Sequence, residues 1–102
     1  MVGKYKVVTL CGSTKFKEDF LREQKRLTLQ GYIVISVGLF GHSGDDEVWQ
    51  DSTKEMLDDM HKRKIDMADE IFVVNKNGYV GPSTLTEIEY AKQHGKKIVF
   101  MQ

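Results

Sequence analysis

The chain has 102 residues, enough for one domain with its own hydrophobic core and no need of a disulfide or metal staple. Fifteen Lys and Arg balance fifteen Asp and Glu, so the net charge is zero and the broad positive footprint of a protein held on polymeric nucleic acid is missing. The one cysteine, Cys11, excludes an internal disulfide and a thiol cluster for structural zinc, and no apolar run approaches the ~18 residues of a membrane span, so no membrane partner and a cytoplasmic setting are expected.

In chain order, Lys6–Cys11 (KVVTLC) is a short apolar, β-branched run closed by Gly12-Ser13, which predicts a buried strand. Residues 14–30 place Phe16, Phe20, Leu21 and Leu27 at helical spacing, and Gly31 stops that helix. Tyr32–Val37 (YIVISV) predicts a second strand, and residues 39–50, with Gly41, Ser43, Gly44, Asp45 and Asp46, a loop. Ser52-Thr53-Lys54-Glu55 has capping-box spacing and opens a helix to about Ala68, with Met56, Leu57, Met60, Ile65 and Ala68 as its apolar face. Residues 70–75 predict a third strand, residues 76–82 a loop, residues 83–94 a helix stopped by Gly95, and residues 97–101 a fourth strand.

Strands that are apolar almost throughout belong to sheets covered on both faces. The order therefore predicts an α/β domain: a doubly wound, four-stranded parallel sheet (Rossmann-like or flavodoxin-like) with three helices. Ligands of such sheets bind beyond the carboxyl ends of the strands. Three segments meet there: Gly12-Ser13-Thr14, the loop of residues 37–50, and the loop of residues 75–86.

Each candidate residue carries a functional and a plain reading. Gly12, Ser13 and Thr14 between strand and helix can cradle a phosphate on free amides and hydroxyls, or Ser13 simply caps a helix. Thr84-Leu85-Thr86-Glu87 is a capping box. The same Glu87, in a first helical turn and held ionised by the macrodipole, can act on an electron-poor carbon such as an anomeric centre. Arg63, at the border of an apolar helix face, either snorkels to water or reaches a phosphate or ribose. His61 is a partly buried histidine or a site residue. His42, His61 and His94 have no metal-ligand spacing, so no metal site is expected. Phe40, Trp49 and Tyr79 pack the rim of a small domain or stack on a base. Cys11 reads as a small buried apolar residue, since no base is assigned to it. Asp45, Asp46 and Glu47 are solvated loop charges or position a substrate hydroxyl.

Taken together, the pieces resemble one superfamily. Val7-Val8-Thr9-Leu10-Cys11-Gly12-Ser13 resembles the opening strand and turn of the Lonely Guy-type nucleoside 5′-monophosphate phosphoribohydrolases and of the nucleoside 2-deoxyribosyltransferase family. Asp59-Met60-His61-Lys62-Arg63-Lys64 resembles the phosphoribohydrolase segment whose arginine is catalytic, which maps onto Arg63. Gly81-Pro82-Ser83-Thr84-Leu85-Thr86-Glu87 resembles the Gly-Gly-x-Gly-Thr-x-x-Glu motif, with Pro82 and Ser83 in place of glycines, and maps the catalytic glutamate onto Glu87. Glu87-Ile88-Glu89-Tyr90-Ala91 also resembles the deoxyribosyltransferase segment carrying its nucleophile. A deoxyribosyltransferase carboxylate and tyrosine are replaced here by His61 and Thr9.

The resemblance implies cleavage or transfer at the N-glycosidic bond of a nucleoside or nucleoside 5′-monophosphate. Glu87 and Arg63 would be catalytic. Gly12, Ser13, Thr14, Ser83, Thr84, Trp49, Tyr79 and His61 would bind substrate. No metal or organic cofactor is implied. The alternative is a non-catalytic nucleotide-binding module of the same fold, and a plain interaction domain is a third reading. The methionines of the helix of residues 52–68 add the expectation of a homodimer that buries this helix.

Overall fold

The computed structural model describes residues 1–102. Strand β1 (Val7–Gly12) runs into a 3-10 turn (Thr14–Phe16) and then helix α1 (Lys17–Leu29). Strand β2 (Ile33–Ile35) follows, then two further 3-10 turns, Gly41–Ser43 and Asp46–Trp49. Helix α2 (Thr53–Asp66), strand β3 (Glu70–Val74), helix α3 (Pro82–Gln93) and strand β4 (Lys97–Phe100) complete the chain. All four strands are parallel, in the order β2-β1-β3-β4, so the α/β class and the four-stranded sheet with three helices are as the hydrophobic pattern predicts. No helix is long and apolar enough to cross a membrane.

Alternation along the strands sorts the core into two layers. Val8, Leu10, Phe72 and Val74 face α1 and pack with Phe20, Leu27 and Phe40. Cys11, Ile71 and Val73 face the other side, where Ile65 of α2 and Ile88 and Ala91 of α3 cover them. After β2 the chain crosses β1 to lay down β3 on its other side, so the order reverses between β1 and β3. A crevice opens at the carboxyl ends of these two strands.

Local chemistry shifts several predicted boundaries. The first helix does not start at Thr14, because the chain turns tightly there and Phe16 sits at φ −95°, ψ 42° before α1 begins. Leu21, expected on the apolar face, is exposed, since it lies about 100° around the helix from the buried Phe20. The capping box at Ser52 does not form: Ser52 is left-handed at φ 61° and its side chain makes no cap bond. The buried face of α2 is His61, Ile65 and, just past its end, Ala68, with Leu57 half-buried one turn earlier. Met56 and Met60 lie one position before Leu57 and His61 and so turn outward, at 53% and 41% exposure.

Candidate functional site

The crevice is a pocket walled by all three of the segments that meet at the sheet edge. Gly12, Ser13 and Thr14 form one side, Val37, Leu39, Gly41, His42, Val48 and Trp49 a second, and Tyr79, Gly81, Pro82, Ser83 and Thr84 a third. Lys54, Leu57, Asp58 and His61 of α2 and Glu87 of α3 close it.

Gly12 is a position that only glycine suits. Its φ is +148°, and an added Cβ would stand 2.6 Å from the Val74 carbonyl oxygen. The close approach of β1 to β3 therefore depends on that missing side chain. The following turn is already occupied: the Ser13 hydroxyl accepts from the Lys15 amide at 3.4 Å. Thr14 is tied to the opposite wall, its Oγ1 accepting from the His42 amide at 3.1 Å and its carbonyl from Ser43 Oγ at 2.7 Å.

The freer anion cradle is the start of α3. The first bond there runs from the Leu85 amide to the Gly81 carbonyl at 2.9 Å, and no side chain caps the end. Pro82 has no N–H, so the amides of Ser83 and Thr84 precede the helical ladder and carry the positive end of its dipole. Both residues line the pocket.

Two aromatic residues flank the opening. Trp49 is held by its indole N–H, which donates to the Gly41 carbonyl at 3.2 Å, and leans on the His42 ring at 4.9 Å. Tyr79 meets Phe16 edge to face at 5.9 Å, with Lys15 Nζ 3.6 Å from its ring centre. Each is about half exposed, and both line the pocket.

At the pocket floor β1, α2 and α3 bring together Cys11, His61 and Glu87. Cys11 Sγ lies 3.4 Å from His61 Nε2, and the same nitrogen lies 3.8 Å from Glu87 Oε1. The second distance is too long for a hydrogen bond. Burial pushes the Cys11 thiol well up, and the Glu87 charge adds to the rise. Burial likewise lowers His61 to about 4, with Lys64 adding and Asp58 and the Leu10 backbone opposing. Burial, with Asp58 adding, raises Glu87 to about 7, against the pull of the Cys11 thiol, Lys54 and Lys62.

The expectation that a helix dipole holds Glu87 ionised is therefore overturned. Because α3 starts at Pro82, Glu87 lies in its second turn, where the dipole has faded. Even in the first turn that field is worth about 0.3–1 kcal/mol, whereas desolvation moves a carboxylate by several pH units. For the same reason Thr84 caps nothing and is instead a buried wall of the pocket.

Of the residues singled out from sequence, the fold gathers Gly12, Ser13, Thr14, Trp49, His61, Tyr79, Ser83, Thr84 and Glu87 at this pocket. It does not bring Arg63 there. Arg63 is exposed on the outer side of α2, since a helix that turns His61 inward carries a residue two positions later about 200° away. Asp45 serves the loop, its Oδ2 accepting from the Phe40 amide at 2.6 Å. Two participants were not apparent from the pattern. Asp58, an exposed residue of α2 that carries no motif, sits one turn from His61 and lines the pocket. Cys11 showed no partner in sequence because His61 is 50 residues away along the chain. Comparison of the chain with protein-family models, with curated proteins and with solved structures finds no match in any of the three.

Proposed function

We propose that the pocket takes a nucleoside 5′-monophosphate and that Glu87 acts at C1′ to break its N-glycosidic bond. One observation carries this reading: a largely buried carboxylate shares a single crevice with an uncapped helix start and two half-exposed aromatic rings. The amides of Ser83 and Thr84, with the Ser13 and Thr14 turn opposite, suit the phosphate. Trp49 and Tyr79 suit the base, and Glu87, which lines the same pocket, would act on the sugar.

In the step itself a Glu87 oxygen bonds to C1′ while the C1′–N bond breaks and its electron pair leaves with the base, which is protonated by solvent. Water then displaces the carboxylate from C1′ and returns it, giving hydrolysis; a second base in place of water gives transfer. The phosphate supplies binding energy remote from the reacting carbon, which positions C1′ without a large lid. Arg63 takes no part in this site within one chain.

The test is to incubate the protein with ribo- and deoxynucleoside 5′-monophosphates and follow free base by chromatography. Release that falls at least about a hundredfold in Glu87→Gln supports the reading, and release undiminished in Glu87→Ala overturns it. The position of Arg63 outside the pocket favours a second reading, a nucleotide-binding module without turnover. Thermal stabilisation by a monophosphate with no base released would establish that module instead.

The outer side of α2 suits a second copy of this chain. Met56, Met60 and Met67 are 53%, 41% and 62% exposed and share one stripe with Arg63. A two-fold pairing sets such a stripe against itself and buries all three methionines twice.

A further inference from the structure

We infer that Cys11, His61 and Glu87 form a three-ligand site for a zinc-class divalent cation whose fourth position opens into the pocket. Each residue comes from a different element, β1, α2 and α3, yet one donor atom from each lies within 4.8 Å of the others. No sequence motif produces this meeting. It is made by the sheet order and by the closeness of β1 to the two helices that cover it.

Two of the three spacings are close to those of metal ligands, and the sulfur–carboxylate pair lies within 4.8 Å. Tetrahedral zinc with bonds of ~2.3 Å to sulfur and ~2.0–2.2 Å to nitrogen and oxygen sets its ligand atoms about 3.4–3.6 Å apart. Here the sulfur–nitrogen distance is 3.4 Å and the nitrogen–oxygen distance 3.8 Å. Hydrogen bonding is the competing account, since the Cys11 thiol pairs with Glu87 as well as meeting His61. His61 Nε2 has one site, a proton or a lone pair, and so can serve only one of its two neighbours. A cation between the three atoms serves all of them at once.

Charge and chemistry agree with the geometry. A thiolate and a carboxylate carry two negative charges, which a divalent cation cancels, so the loaded site is neutral in a buried setting. Sulfur and imidazole donors select zinc or cobalt over magnesium and calcium, which prefer oxygen alone. The direction of the open position follows from which ligands reach the crevice. His61 and Glu87 line the pocket while Cys11 is fully buried beneath it. The face away from the sulfur is therefore the one a water or an anionic ligand oxygen would occupy.

The site does not rest on the glycosidic reading, and because a ligated Glu87 cannot attack C1′ the two exclude each other in the same molecule. It is tested on the full chain alone, stripped with a chelator and titrated with Co2+ in the absence of nucleotide. The expected result is saturation at one equivalent, with the intense visible absorption of tetrahedral cobalt and a thiolate-to-cobalt charge-transfer band, both erased by stoichiometric Zn2+. Cys11→Ser should remove the charge-transfer band. His61→Ala and Glu87→Gln should each weaken binding at least about a hundredfold, since losing even a supporting outer partner typically costs 10–100-fold. His94→Ala, which removes an exposed histidine elsewhere, should change nothing. If Cys11→Ser fails to fold, the other two variants decide the matter. No tetrahedral spectrum, or binding that survives His61→Ala and Glu87→Gln, overturns the site. Cobalt binding without base release from any nucleotide leaves this site standing and removes the glycosidic reading; base release without cobalt binding does the reverse.

Discussion

The two faces of the sheet have been put to different uses, and a single strand shows the division. β1 sends Val8 and Leu10 toward α1, where they pack with Phe20, Leu27 and Phe40, and the buried carboxylates of that helix, Asp19 and Glu23, are paired with Arg22 and Arg26. It sends Thr9 and Cys11 toward α2 and α3, where the hydroxyl donates to the Lys64 carbonyl at 2.9 Å and the thiol meets His61. On that second face Ile65, Ile71, Val73, Ile88 and Ala91 are interleaved with His61, Thr84 and Glu87. The first layer can hold the domain together without contributing to the site. The second must do both, and burial there shifts His61 and Glu87 toward their neutral forms.

The largest effect should come from breaking the first layer alone. Phe20 is fully buried and meets Phe40 edge to face at 5.5 Å. Phe20→Ala should lower unfolding stability by about 3–5 kcal/mol, read from the midpoint of denaturant unfolding. Cobalt binding by the fraction still folded should keep its affinity, because no ligand of the proposed site comes from α1. A loss of affinity along with the loss of stability would show that the layers are coupled through the sheet.

The second layer predicts a pH signature. Unfolding restores His61 from about 4 to 6.5 and Glu87 from about 7 to 4.5. Between pH 4.5 and 6.5 the folded chain therefore carries its proton on Glu87 and the unfolded chain carries it on His61. The counts are equal, so these two groups leave the stability of the metal-free protein flat across that window. Glu87→Gln removes one side of the balance. Only His61 then remains, with its folded pKa depressed, and stability should rise with pH from about 4 to about 6.5 by as much as ~1.4 kcal/mol per pH unit. His61→Asn should tilt the curve the other way, stability falling as pH rises from 4.5 toward about 7. Denaturant melts at several pH values with a chelator present give both slopes. A Glu87→Gln curve as flat as the parent would contradict the paired burial.

How much of this was legible in the chain differs between the layers for a physical reason. Runs such as Val7-Val8-Thr9-Leu10 and Glu70-Ile71-Phe72-Val73-Val74 are apolar on both faces, so strand, parallel sheet and fold class follow from local pattern. The pocket was legible too, since the loops after parallel strands must meet at one edge. The cluster of Cys11, His61 and Glu87 was not. Its members are far apart in sequence, and two crossovers join them, β2 to β3 through α2 and β3 to β4 through α3. Faces of α2 were misread where one position decides: Leu57 and His61 turn inward, while Met56 and Met60, one residue earlier, turn out. Helical periodicity fixes the width of an apolar stripe better than its centre when methionine and histidine stand side by side.

That outward stripe gives the smallest expected effect and the sharpest contrast between the two sides of α2. If a second copy covers it, Met60→Glu should weaken self-association roughly tenfold or more, since burying a methionine is worth about 1.5–3 kcal/mol. Sedimentation equilibrium across micromolar concentrations measures this directly. Arg63→Ala, on the same stripe, should leave base release within about twofold, because surface changes away from a site typically shift energies by no more than ~0.5 kcal/mol. A large drop in Arg63→Ala that disappears when the protein is held monomeric by Met60→Glu would mean that the partner subunit delivers its arginine across the interface. A large drop that persists in the monomer would require Arg63 to reach the pocket of its own chain, which the inward turn of His61 opposes.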